Sequence, residues 1–226
     1  MSMQQYYSEK GSYLDEHKKY FTKVRTLNEV DFLIKALNLQ KNDRIIDLAC
    51  GNGRHSIELA KKGFRIVGVD QSEHLISLCK SQSVKEKIDV TFYSQNILNL
   101  NLPDRYNKGF LFFSEFGQLN PTEALKNINR NMEENGELLI DTDFFMRVIN
   151  HLKEKNDPQY YFDLTTMTLF DKENDEKVRY YTFPEAATLL ECSGFKPLKF
   201  FGDYNFEKPS LTSSRMIIIS RKQRTI

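Results

Sequence analysis

The amino-acid sequence predicts an α/β fold built on a doubly wound, seven-stranded sheet that is mostly parallel and has an antiparallel last strand. Up to residue 141, short apolar runs alternate with helical patterns, which is typical of parallel strands joined by crossover helices. After residue 182 a helix and two strands follow, and the link between these strands is too short for another helix. The last two strands are therefore expected to pair antiparallel.

Each element of this fold has its own local signal. The strands are predicted at 44–48, 65–69, 88–93, 109–113, 136–141, 196–201 and 215–220. The helices that connect them are predicted at 52–62, 72–81, 121–131 and 183–193. Gly63, Pro121 and Gly194 stand at helix ends where these residue types are preferred. The run 109–113 is almost entirely apolar, which predicts a strand buried on both faces.

Two further segments lie outside this alternation. Residues 12–38 have a helical pattern that we interpret as two helices, the second of them capped by Asn28. Residues 160–170 and 177–182 are rich in β-forming residue types on either side of the turn KENDE. They predict a small β-hairpin inserted after the fifth strand.

Composition excludes several classes of protein. The formal net charge of +1 over 226 residues offers no general attraction for nucleic acid. The three cysteines show no metal-like or disulfide-like spacing, which favours a reducing compartment and no metal site. No apolar run approaches the length of a membrane span, and the N-terminus lacks the apolar core of a signal peptide. A cytoplasmic protein without a membrane partner is expected.

The most informative stretch is RIIDLACGNGRHSIELAKKGFRIVGVDQS, residues 44–72. Gly51 and Gly53 allow a sharp turn between strand and helix, where the helix N-terminus offers unpaired N–H groups. Asp70 ends the next strand, and a carboxylate there can accept both hydroxyls of a ribose. A dinucleotide site favours a third glycine where this chain has Ser56. Taken alone, these residues leave open a nicotinamide cofactor and a second nucleotide-like cofactor.

The same stretch resembles the first two motifs of class I S-adenosylmethionine-dependent methyltransferases, which often read D-L-x-C-G-x-G. Three later segments are similar to this family in the same order: YSQNILNL, LKNINRNMEENGELLIDT, and RYYTFPEAATLLECSGFKPLKFFGDY followed by SRMIIISRK. The first resembles the segment that holds the adenine, and the last the C-terminal end of the small-molecule branch. The resemblance covers most of residues 12–222 and implies a Rossmann-like fold, S-adenosylmethionine as cofactor and S-adenosylhomocysteine as product.

The resemblance also implies a cofactor site. Its members are expected to be Tyr13, Arg25, Asp47, Ala49, Cys50, Gly51, Gly53, Asp70, Gln71, Asn96, Ile97 and Phe113. Asp47 and the backbone of 49–51 would meet the amino-acid part of the cofactor, and Tyr13 with Arg25 would lie over its carboxylate. Asp70, with Gln71 beside it, would hold the ribose.

The remaining assignments concern the adenine and the reaction. Asn96 and the N–H of Ile97 would contact the adenine; the family has aspartate more often at the position of Asn96, and glycine more often at that of Ala49. Glu115 follows the fourth strand at the ligand-binding edge and is the candidate catalytic residue. His55 is interpreted as a packing residue at a helix start rather than as a base.

The expected function is transfer of a methyl group from S-adenosylmethionine to a nitrogen or oxygen of a small-molecule acceptor, by direct in-line displacement. The alternatives are an RNA or protein methyltransferase, an NAD-dependent oxidoreductase and a regulator that binds cofactor without catalysis. Residues 1–40 are expected to cap the cofactor site and 41–226 to form the methyltransferase domain. Within that domain, 150–182 would serve as a lid or an interface. The acceptor's identity is open, as is the choice between monomer and homodimer.

Overall fold

The structure is a computed structural model that describes residues 6–112, 115–173 and 176–224. Its strands are β1 (Arg44–Leu48), β2 (Arg65–Asp70), β3 (Thr91–Ser94), β4 (Tyr106–Leu111), β5 (Met132–Asp143), β6 (Tyr160–Asp163), β7 (Thr168–Asp171), β8 (Glu176–Arg179), β9 (Phe195–Phe201) and β10 (Arg215–Lys222). Its helices are α1 (Tyr13–His17), α2 (Lys23–Ala36), α3 (Arg54–Lys61), α4 (Glu73–Glu86), α5 (Pro121–Asn131), α6 (Phe145–Lys155) and α7 (Phe183–Cys192). Single 3₁₀ turns lie at Lys18–Tyr20, Ile97–Asn99 and Glu115–Gly117.

Seven strands form one sheet in the order β3-β2-β1-β4-β5-β10-β9. Strands β1 to β5 pair parallel with one another, whereas β10 is antiparallel to both β5 and β9. The predicted doubly wound sheet with an antiparallel last strand is confirmed. Because the carboxyl ends of the parallel strands lie at one edge, the loops that follow β1, β2 and β3 are neighbours there.

Both faces of the sheet are buried, which explains the nearly continuous apolar strands. Ile45 and Phe110 pack on one side with residues of α2 and α3, such as Leu33. Ile46 and Leu111 point to the other side, where they pack with residues of α5. Successive side chains of a strand point to opposite faces, so a strand covered by helices on both sides must be apolar at every position.

The N-terminal helices break at a different place from the one predicted. Helix α2 runs without interruption from Lys23 to Ala36, and Thr22 is its N-cap, with its hydroxyl accepting the N–H of Arg25 at 3.3 Å. The prediction that Asn28 caps the second helix was wrong. The threonine cap lies earlier, and the buried face of α2 already begins at Thr26.

The inserted β-structure has three strands rather than two. Strands β6, β7 and β8 form an antiparallel sheet, because the segment predicted as one strand over 160–170 turns back at 164–167. Asp163 stabilises this turn by accepting the N–H of Thr165 at 2.8 Å. Helix α6, which precedes these three strands, has no counterpart among the predicted elements.

Candidate functional site

The loops at the carboxyl edge of the sheet enclose a cleft made of two adjoining pockets. Tyr13, Ala49 and Gly51 line both pockets and so join them. The first pocket is also lined by Tyr7, Asp70, Gln71, Leu75, Gln95, Asn96, Ile97 and Leu119. The second is also lined by Phe21, Asp47, Cys50, Asn52, Arg54, His55 and Phe112. Most of the predicted cofactor-site residues therefore face one continuous cleft.

The turn between β1 and α3 forms the floor of this cleft. Its backbone is left-handed at Ala49, Gly51 and Gly53, with φ values of 52°, 56° and 71°. A Cβ on Gly51 would lie 3.2 Å from the hydroxyl oxygen of Tyr13, and one on Gly53 would lie 2.7 Å from the sulfur of Cys79. Glycine is therefore favoured by conformation at both positions, and at Gly53 it is favoured by space as well. Ala49 adopts the same conformation at a cost of about 1–2 kcal/mol.

Asp70 ties this turn to the end of β2. One carboxylate oxygen accepts the N–H of Gly51 at 2.8 Å, and the other accepts the N–H of Ser72 at 2.9 Å. The pKa of Asp70 is raised by burial, against the lowering effect of these two hydrogen bonds. A carboxylate has about four acceptor sites, so these bonds leave it able to accept hydroxyls from the cleft.

Asp47 lies at the other end of the cleft floor and is almost completely buried. Burial raises its pKa to about 7, although a hydrogen bond from Ser56 and the charge of Arg54 act in the opposite direction. The Ser56 hydroxyl donates to the Asp47 carboxylate at 2.7 Å. Ser56, which stands where a dinucleotide fingerprint has its third glycine, thus donates a hydrogen bond that glycine could not donate.

Asn96 and Gln71 form a pair at the first pocket. The Asn96 NH₂ donates to the side-chain oxygen of Gln71 at 2.9 Å, and the Asn96 oxygen accepts the N–H of Leu98 at 2.8 Å. The second bond caps the 3₁₀ turn that begins at Ile97. Asparagine differs from aspartate at this position by its NH₂ group, and Gln71 on the neighbouring loop accepts the hydrogen bond that this group donates.

Two of the predicted site residues do not line the cleft, and two others lie wholly or partly outside the described residues. Arg25 is not among the described residues that line either pocket; its Nε donates to Glu29 on the same helix at 2.8 Å, and its guanidinium lies over the ring of Tyr20. Gly53 lies behind the floor as the N-cap of α3. Phe113 falls outside the described residues. The side chain of the candidate catalytic residue Glu115 does too, although its backbone begins a 3₁₀ turn.

Sequence reasoning missed Glu29 and Arg54. Arg54 lines the second pocket and forms an ion pair with Glu29, which is completely buried. A signal was present: Glu29 occupies the face of α2 that also carries Thr26, Val30 and Leu33, where an acid is costly unless it is paired. His55 contacts the same carboxylate, with its Nε2 at 3.0 Å from the Glu29 oxygen.

The fold and the cleft together define the class of this protein. A doubly wound sheet with a glycine turn after β1 and an acid at the end of β2 is the arrangement of α/β enzymes with a nucleotide-like cofactor. In the described part of the chain, no group of three His, Cys, Asp or Glu side chains could hold a metal ion. No helix of the described residues is long and apolar enough to cross a membrane.

Comparison with known proteins identifies the family. A family model described as a methyltransferase domain matches residues 39–183, which is more than half of the chain. The chain belongs to this methyltransferase-domain family, and it is an S-adenosylmethionine-dependent methyltransferase of class I. It is similar over most of its length to a Geobacillus sp. (strain WCH70) protein that carries a provisional methyltransferase name. The identity is 22% over 218 residues, covering 84% of this chain and 88% of the relative.

Solved structures share the fold. An S-adenosylmethionine-dependent methyltransferase from Clostridium acetobutylicum ATCC 824 superposes with a TM-score of 0.74 at 16% identity, over 95% of this chain and 100% of that one. The 1,6-didemethyltoxoflavin-N1-methyltransferase of Burkholderia thailandensis was solved with bound 1,6-didemethyltoxoflavin and S-adenosylhomocysteine. It gives a TM-score of 0.66 at 16% identity, over 94% and 84% of the two chains.

Proposed function

We propose that this chain transfers the methyl group of S-adenosylmethionine to a nitrogen or oxygen of a small-molecule acceptor, with the cofactor bound in the cleft described above. The observation that carries this proposal is the continuity of the cleft. It runs from Asn96 past Asp70 and the glycine turn to Asp47. That order matches adenine, ribose and amino acid along the cofactor.

The residues of the cleft fit such a ligand chemically. Asp70 can accept the ribose hydroxyls, and Asp47 can face the ammonium group of the cofactor's amino-acid part. The Asn96 amide and the N–H of Ile97 can form hydrogen bonds with the adenine. Gly51 leaves the space that a Cβ would fill, so the ligand can approach the backbone closely.

The N-terminal segment is proposed to cap the bound cofactor. Tyr7 and Tyr13 line the first pocket, and the backbone oxygen of Tyr7 accepts the hydroxyl of Ser72 at 2.8 Å. Because Ser72 lies two residues after Asp70, the cap is attached to the loop that carries the proposed ribose ligand. The tyrosine rings exclude water from this part of the cleft, which strengthens the polar contacts inside it.

The insertion 150–182 is proposed as a lid over the acceptor. A Cβ on Gly117 would lie 2.3 Å from the backbone oxygen of Arg179, so the end of β8 is pressed against the turn that follows β4. That turn begins at Glu115, the proposed catalytic residue. The other end of the insertion exposes Tyr161 and Leu164.

When bound, S-adenosylmethionine supplies a methyl group on a positively charged sulfur. The protein residues then need only hold donor and acceptor in line and keep water out, and such positioning is worth roughly 7–11 kcal/mol. An amine must arrive neutral, and an oxygen acceptor must be acidic or meet a base. Glu115 is the residue proposed as this base.

Two measurements test this function. Calorimetry should show binding of S-adenosylmethionine and S-adenosylhomocysteine and no binding of NAD. Incubation with methyl-labelled cofactor and separate panels of small amines, small phenols, bulk RNA and protein should label a small molecule. Binding of NAD alone would overturn the cofactor assignment, and labelling confined to RNA or protein would overturn the acceptor class.

A further inference from the structure

Glu29 is the centre of a buried polar cluster that connects the N-terminal segment to the cleft. Its side chain is completely buried on α2. One carboxylate oxygen accepts the Nε–H of Arg25 at 2.8 Å, while the other is paired with Arg54 and lies 3.0 Å from the Nε2 of His55. Three side chains from two helices therefore converge on one carboxylate.

Two of these partners form part of the cleft wall. Arg54 and His55 are the first two residues of α3 and line the second pocket beside Asp47. Arg54 is held further by a hydrogen bond from its Nη1 to the hydroxyl of Thr26 at 3.2 Å. His55 packs edge-on against the ring of Phe112, with 4.8 Å between ring centroids. Glu29 itself lines neither pocket and reaches the cleft only through them.

The protonation states follow from this arrangement. Burial raises the pKa of Glu29, but the hydrogen bond from His55 and the charge of Arg54 outweigh it and bring the pKa to about 2. Burial and the same arginine lower the pKa of His55 to about 4. At neutral pH the carboxylate is charged and the imidazole is neutral, so the imidazole donates through Nε2. Among the described residues that line the second pocket, Arg54 carries the positive charge.

We infer that Glu29 is a positioning residue for the amino-acid end of the cofactor, because it holds the Arg54 guanidinium and the His55 ring in place at the end of the cleft that contains Asp47. There the guanidinium faces the cofactor's carboxylate while Asp47 faces its ammonium group. This inference rests on the proposed function. It assigns to Arg54, oriented by Glu29, the carboxylate that the family resemblance gave to Arg25.

The test compares two ligands that differ only at the amino-acid end. S-adenosylhomocysteine carries the amino acid, and 5′-methylthioadenosine has the same adenosine and sulfur without it. Glu29→Gln should weaken S-adenosylhomocysteine at least about tenfold, since an ion pair that orients the arginine is lost. It should leave the affinity for 5′-methylthioadenosine within about twofold, as measured by calorimetry.

Glu58→Gln provides the matched control. Glu58 is a nearly buried acid that also links α3 to α2, through Lys23 at 2.5 Å, and it lines neither pocket. Its replacement should change neither affinity by more than about twofold. If Glu29→Gln does not fold, Arg54→Lys replaces it. That variant keeps the charge but loses the planar fork, and should show the same selective loss.

The outcomes separate the inference from the proposed function. Equal weakening of both ligands by Glu29→Gln would mean that the residue acts only through general stability, and no weakening of either would mean that it does not act on the cofactor. Either result overturns the inference. If the unaltered protein binds neither ligand, the proposed function itself fails.

Discussion

The Ser56 hydroxyl donates a hydrogen bond to the buried Asp47 carboxylate, with 2.7 Å between the two oxygens. Ser56 lies in the first turn of α3 and Asp47 lies in the inner strand β1. The bond therefore connects the strand before the glycine turn to the helix after it. It also gives the buried acid one of the donors that stabilise its charged form.

Ser56→Ala should destabilise the protein by about 1.5–3 kcal/mol at pH 8, where Asp47 is charged, since a hydrogen bond to a buried charge is lost. Urea unfolding measures this change. Ser81→Ala is the control, because that hydroxyl bonds only the exposed backbone oxygen of Ser77, and it should stay within about 0.5 kcal/mol. Equal effects of the two substitutions would contradict the role given to Ser56.

Asp47 should make stability depend on pH. Its pKa rises from 3.8 to about 7 on folding, so the native state binds the proton more tightly. The unfolding free energy should therefore fall as pH rises from about 4 to about 7, with an upper bound of roughly 4 kcal/mol. Asp47→Asn has no proton to lose, so its stability relative to the unaltered protein should increase across that window.

The quantity to compare is the difference in unfolding free energy between Asp47→Asn and the unaltered protein, measured at each pH from 5 to 8. Glu29, with a pKa of about 2, stabilises the fold above its unfolded pKa of 4.5 and loses that effect only on acidification. It contributes equally to both proteins and cancels. A difference that stays flat over this range would show that Asp47 has an ordinary pKa.

Asp70→Asn should weaken S-adenosylhomocysteine by about tenfold or more, because the amide keeps the shape but replaces one acceptor oxygen by a donor. Calorimetry on protein with an unchanged circular dichroism spectrum measures this. Glu73→Gln changes an exposed acid three residues further along the chain, and should leave the affinity within about twofold. An unchanged affinity of Asp70→Asn would remove Asp70 from the ribose site.

Gly53→Ala should destabilise the protein by about 2 kcal/mol or more, from the left-handed backbone and from contact with the sulfur of Cys79. Adding Cys79→Ala should recover part of this loss, since it removes the contact but not the backbone cost. A double-mutant cycle by thermal or urea unfolding measures the coupling. Strictly additive effects would mean that the two residues do not collide.

Much of the fold is visible in the sequence, because it depends on short-range patterns. The strand positions follow from apolar runs, and the glycine turn follows from backbone conformations that only small residues adopt easily. The number of strands in the insertion was harder to predict. The turn between β6 and β7 is built from Asp163, Thr165 and Thr166, which contain no glycine or proline to mark a break.

The candidate site, too, was predictable from the sequence only in part. The sequence by itself indicated a nucleotide-like cofactor through the glycine turn and Asp70, since those residues lie within one strand-turn-helix-strand unit. The resemblance of this and three later segments to class I methyltransferases then implied the methyl donor. Only the tertiary structure decided that Arg54 and His55 converge on the buried Glu29 carboxylate, which Arg25 contacts from the same helix. The contacts of Arg54 and His55 join α3 to α2, and partners 25 and 26 residues away in the chain leave no periodic signal. These contacts are strong because the carboxylate is buried, and it is buried only once the helices have packed against the sheet.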